Sequence, residues 1–174
     1  MIEMKMILAI VGIAIAVGID WRMRKIPNVL TFTMIILGLA LNTFQNGFTG
    51  FQHSFLGLCL GILLLYFPFQ LGGVGGGDVK LMGAIGSLLG PVFIFKIFLA
   101  SALCGGILSF IYMIKRKAVR KTLEAIKAKA FYFLMTKTVL PESREASGKK
   151  QLSIPYSFAI GFGTLFVLLW IQGG

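Results

Sequence analysis

Only six of the 174 residues are acidic. Glu3 lies close to Met1, and Glu124, Glu142 and Glu145 sit in a polar, strongly basic stretch. That leaves Asp20, in Gly18-Ile19-Asp20-Trp21, and Asp78, at the end of Gly72-Gly73-Val74-Gly75-Gly76-Gly77-Asp78. Two carboxylates held close together cannot both ionise readily, so one keeps its proton while the other stays charged. The charged one can take a proton from water, and the protonated one can bond a carbonyl oxygen and later hand its proton on. That is acid–base hydrolysis of an amide bond without metal or covalent intermediate. Rival chemistry lacks parts: Cys59 and Cys104 lie in apolar runs, and His53 is the one histidine. His53 reads as an interfacial residue, and neither a thiol nucleophile nor a metal or other cofactor is expected.

The glycines before Asp78 are expected to form a loop from Gly72 to Lys80, since glycine disfavours a regular helix by about 1 kcal/mol per residue. Gly75, Gly76 and Gly77 would leave a channel free of side chains, where an extended substrate backbone could reach Asp78. A phosphate-cradling loop is a poor fit, because an Asp ends it and the G-x-x-x-x-G-K-[ST] spacing is absent. Each aspartate also has a plain structural role open to it. Asp20 could be a helix-terminal charge, and Asp78 could cap the next helix through the amide of residue 80 or 81. Lys80 could orient or balance the site, or snorkel to headgroups. Pro27 suits a helical first turn, whereas Asn28 after it has no evident physical role.

Something must bring together two carboxylates 58 residues apart. Composition indicates what it is: 57% of residues are hydrophobic, 13% are charged and the mean hydropathy is +0.88. A soluble domain carries roughly 25% charged residues. A net charge of +11 on so apolar a chain points to basic loops of a membrane protein, not to a nucleic-acid partner. Apolar runs fall at Met6–Ile19, Val29–Phe44, Phe55–Leu71, Leu81–Leu89, Val92–Ile114 and Ile154–Ile171. The first is read as a retained span, because its basic cluster follows it and no A-x-A site does. The fourth is too short to cross about 30 Å as a straight helix, so it is expected as a half-span buried among others or as a tilted one. Gly57 and Gly61, and Gly86 and Gly90, have the spacing that lets helices approach closely, although chance among 22 glycines gives such pairs too.

Six spans put three loops on one side. These hold Arg22, Arg24 and Lys25, then Lys80, then eleven basic residues between Lys115 and Ser153, leaving only Lys5 and Lys96 elsewhere. The positive-inside rule places those loops, and with them Asp20 and Asp78, at the cytoplasmic face and both termini outside. The stripe Val119, Leu123, Ile126, Ala130 and Leu134 predicts an amphipathic helix over Lys115–Leu140. It would rest on anionic membrane lipids or serve as a charged surface helix that fixes orientation. Pro141–Lys150 reads as a loop. The expectation is an all-α, multi-pass protein of the cell membrane, with residues 1–174 forming one integral domain and 115–153 a basic cytoplasmic insertion.

The residues at this point resemble a known family. Gly75-Gly76-Gly77-Asp78 is similar to the GxGD signature of membrane aspartic proteases. Gly77-Asp78-Val79-Lys80-Leu81 resembles the second active-site motif of type IV prepilin and archaeal preflagellin peptidases. Asp20 followed by Ile26-Pro27-Asn28 resembles their first motif, and Ile154–Gly161 the start of their last span. The resemblance implies Asp20 and Asp78 as the catalytic pair. It implies a prepilin or pilin-like substrate that loses a short basic leader at the cytoplasmic face. Long members also methylate the new terminus and carry two CxxC pairs between their first two spans. This chain has no CxxC and only a short stretch there, so it resembles a peptidase-only form without N-methyltransferase activity. A proton-coupled transporter using the Asp pair as a relay is the competing reading. It is disfavoured because such sites lie near the midplane of inverted repeats.

Overall fold

The computed structural model describes residues 2–23, 25–70, 73–115 and 156–173. The basic segment, with its expected amphipathic helix and loop, lies outside them. The described residues form five helices: α1 (Ile2–Met23), α2 (Asn28–Gln70), α3 (Gly76–Leu89), α4 (Pro91–Lys115) and α5 (Tyr156–Gly173). Among them there is no strand. The chain divides into two compact units, residues 1–105 with 155–174, and residues 106–154. Both aspartates belong to the first.

A straight helix of 43 residues would be about 64 Å long, twice the apolar thickness of a bilayer. α2 instead folds back at Gly47, whose φ of 59° and ψ of −138° break the helix. A side chain there would be strained, so glycine makes the reversal possible. The result is a hairpin of two arms, 28–46 and 48–70, in which Gly50 lies against the Asn42 carbonyl. Each arm is about 30 Å long. The sequence suggests a loop of some ten residues between the second and third runs; one non-helical residue suffices.

α3 lies between these arms. The first arm turns Thr31, Met34, Gly38 and Asn42 inward, and the second turns in Gly50, Ser54, Gly57, Gly61 and Leu65. Both sets recur every three or four residues, the spacing of one helix face. Gly57 abuts the Gly86 carbonyl and Gly61 that of Met82, while Gly38 faces Ser87. The small-residue pairs therefore do meet, as close approach of backbones requires. Every residue from Leu81 to Gly90 is buried, so the short apolar run is enclosed by its neighbours. Gly90, with φ of 88°, ends α3 directly before Pro91 opens α4.

α1 packs against α5, α3 and α2 through Met6, Ala9, Ile13 and Ala16, a buried stripe that runs on to Asp20. α5 answers with Ser157, Ile160, Thr164 and Leu168. Large apolar side chains such as Ile7, Ile36, Phe48, Leu63 and Phe95 face outward, more than a water-facing surface ordinarily carries. α1 and α2 are each long and apolar enough to cross a membrane.

Candidate active site

Asp20 and Asp78 occupy opposite kinds of helix end. Asp20 is in the last turn of α1, where the helix dipole disfavours a negative charge, yet it is only 9% exposed. Its support comes from 137 residues away: the Ser157 hydroxyl donates to Asp20 Oδ2 at 2.5 Å. Beside this bond the Trp21 and Phe158 rings meet edge to face, 5.5 Å between centroids, and tie the end of α1 to the start of α5. In the sequence Ser157 is only one letter of a motif. No local pattern pairs it with Asp20, because the contact exists only once α1 and α5 pack.

Asp78 is in the first turn of α3, where a carboxylate is favoured. Its Oδ2 accepts the Gly75 N–H at 3.3 Å, one half of a capping box. This corrects two expectations. The helix starts at Gly76, not after Lys80, so Gly76 and Gly77 are helical; first-turn amides need no intrahelical partner, and the Asp78 cap offsets the cost of glycine. The amide that Asp78 serves is also behind it in sequence, not that of residue 80 or 81.

Asp78 precedes the apolar run of α3 and is 8% exposed. Burial, and then the nearby charge of Asp20, push its carboxyl up to about 7, against the pull of the Gly75 amide. The two carboxylates thus sense each other. Tyr156, packed on Gly105, lies within electrostatic reach of Asp78.

The remaining predicted residues form the frame. Ile26 packs on Gly77, where an added Cβ would lie 3.2 Å from the Ile26 Cβ. Pro27 stands just before α2, and its carbonyl accepts the Thr31 N–H. Asn28 now has a role: its Oδ1 accepts the Lys80 ammonium at 2.8 Å. Lys80 therefore joins the two motifs through an amide, not through a carboxylate. Asp20, Asp78, Lys25, Ile26, Pro27, Asn28, Lys80 and the three glycines line one cavity of about 530 Å³. Its volume lies within the range of ligand-binding clefts, about 300–1,000 Å³. Among the described residues no cluster of three metal-ligating side chains forms. The arrangement is suited to acid–base chemistry: one carboxylate receives a hydroxyl donor, and its neighbour is buried and poised to keep a proton near neutral pH.

Comparison with known proteins bears on this arrangement. A prepilin leader peptidase/N-methyltransferase of Xanthomonas campestris pv. campestris is 31% identical over 112 residues, 60% of this chain and 39% of the relative. A protein of the same description from Legionella pneumophila is 34% identical over 104 residues, 56% of this chain and 36% of the relative. The matched stretch thus spans under two fifths of either relative. No solved structure matches. The profile of the type IV leader peptidase family matches residues 6–110, a stretch that contains both Asp20 and Asp78. By that match the chain belongs to the type IV leader peptidase family.

Proposed function

We propose that this protein is a membrane aspartic endopeptidase that removes the short basic leader from a prepilin or pilin-like protein. The observation that carries the reading is the unequal carboxylate pair: Asp20 held by Ser157, and Asp78 buried beside it with its carboxyl raised to about 7, on a shared cavity. Asp20 takes the proton from a water, which attacks the scissile carbonyl. Asp78 donates its proton to the developing oxyanion; as the C–N bond breaks, Asp20 passes the proton it took from water to the leaving amine, and Asp78 recovers its own from the diol hydroxyl as the carbonyl re-forms. No metal or other cofactor takes part.

In this reading α1, the two arms of α2, α3, α4 and α5 make six crossings of the cell membrane. The termini are outside and the cavity opens at the cytoplasmic face, where the basic loops fall. Residues 1–174 act as one domain, and the basic segment 115–153 contacts anionic lipids. Cleavage is the whole activity. The relatives' description includes N-methyltransferase, but both cysteines of this chain lie within apolar helices. A proton relay is less well supported, because both aspartates are at helix ends, not midway along them.

The test is co-expression with a prepilin and N-terminal sequencing of the product. Wild type yields a new terminus after the basic leader, unmethylated by mass. Asp20→Asn and Asp78→Asn accumulate in the membrane and yield none. Cleavage that persists in either variant refutes the two-carboxylate mechanism.

A further inference from the structure

The other end of the bundle holds a second polar site. Lys5 lies 15 residues before Asp20 on α1, about 22 Å away along the helix. It is buried, 8% exposed, and its ammonium donates to Asn42 Oδ1 at 2.6 Å. The Asn42 side chain is fixed in that orientation. Its amide group donates to the carbonyls of Gly38, Ser87 and Leu88, so its oxygen is turned toward Lys5. A carboxamide offers a dipole and no charge. Among the described residues Lys5 makes no ion pair, and it lines a cavity of about 650 Å³.

An enclosed cation without a counter-charge is costly in an apolar bundle. The lining answers what would offset it. Asn46, Thr49 and His53 add polar groups around Lys5, and among the described residues no carboxylate contributes. Leu89, Phe93 and Leu168 close the rest of the wall. We propose that this cavity binds a phosphate-bearing anion, with Lys5 as its charge partner. The apolar wall favours the phosphate of a lipid headgroup, with the adjoining glycerol and upper chain against Leu89 and Phe93. Free phosphate has the same charge chemistry and would use the polar half alone. The inference is independent of the chemistry at the two aspartates.

The test uses the full chain purified in phosphate-free detergent. Dioctanoyl phosphatidylglycerol and inorganic phosphate are titrated separately, with binding read by native mass spectrometry and by the shift in Tm. Wild type is expected to bind one phosphatidylglycerol, and Lys5→Met to bind it roughly tenfold more weakly or worse, the loss expected for a charge-assisted contact. Lys5→Arg retains binding. Asn46→Asp, which places a negative charge on an exposed rim position, weakens it without disturbing the core, and so decides the matter if Lys5→Met does not accumulate. Displacement of the lipid by inorganic phosphate identifies a free anion as the ligand; lipid binding that phosphate does not displace identifies the headgroup. Failure of wild type to bind either probe, or equal binding by wild type, Lys5→Met and Asn46→Asp, overturns the proposal.

Discussion

Gly57→Ala gives the sharpest test of how the fold serves the site. A methyl at Gly57 would sit 2.0 Å from the Gly86 carbonyl oxygen, and one at Gly86 would sit 2.1 Å from that of Gly57. Ordinary contact begins near 3.4 Å, so the second arm of α2 and α3 must part by about 1.4 Å in an interior packed without slack. α3 cannot lean away, because it is enclosed on all sides from Leu81 to Gly90. Overpacking of this kind costs about 1–3 kcal/mol. The displacement also travels. Asp78 stands on the same rigid helix, two turns or about 12 Å from Gly86, and a misplacement near 1 Å at a reacting group costs on the order of a hundredfold in rate. Gly18→Ala is the control. Gly18 is helical and an added methyl meets nothing within 4 Å, so the same change, two residues from Asp20, is neutral or stabilises by up to about 1 kcal/mol. Thermal unfolding in detergent and the kcat/KM for prepilin cleavage read both effects. If Gly57→Ala keeps the wild-type Tm and rate, α3 is not held as described and the reasoning from close approach fails.

Three further outcomes are expected at the site. Ser157→Ala removes a hydrogen bond to a carboxylate, about 1.5–3 kcal/mol, so kcat/KM falls roughly ten- to a hundredfold while Ser157→Thr retains most activity; an unchanged rate in the alanine variant would remove Ser157 from the mechanism. In the proposed mechanism Asp78 must carry a proton, and its pKa is raised from 3.8 to about 7, so the proton is present below that value and activity is expected to fall as pH rises through it. A rate still climbing well above pH 7 contradicts the assignment of Asp78 as the acid. In Asp20→Asn the loss of the neighbouring charge lowers the Asp78 titration, seen as its protonated-carboxyl infrared band, but not to 3.8, because burial is the larger cause; an unmoved band means the two groups are not coupled.

What the sequence disclosed was set by periodicity and by rarity. Asp20 and Asp78 stood out because carboxylates are scarce in this chain, and counting the apolar runs between them was enough to bring them to one end. The inward faces of α1 and α2 follow helical spacing. Other features depended on tertiary contact. The hairpin turn rests on one backbone torsion at Gly47, in a stretch whose polar residues read equally well as a loop. The start of α3 at Gly76 reflects a cap supplied by Asp78, which overrides glycine's poor propensity. Asn28 had no role until Lys80 was beside it, and neither Ser157 nor the Lys5–Asn42 pair has a sequence signal, because their partners are 137 and 37 residues away.

The enclosure of α3 has a consequence for how the protein is made. A helix of 14 residues with no lipid-facing side between Leu81 and Gly90 has too little apolar length to partition into a bilayer unaided. It must be carried in by the hairpin synthesised just before it. Its aspartate then waits: α5, with the hydroxyl that holds Asp20, is synthesised later than α3. Until that helix docks, the two acids are present but not organised. A chain in which α5 has not yet docked therefore lacks the organised pair, although both carboxylates are already made.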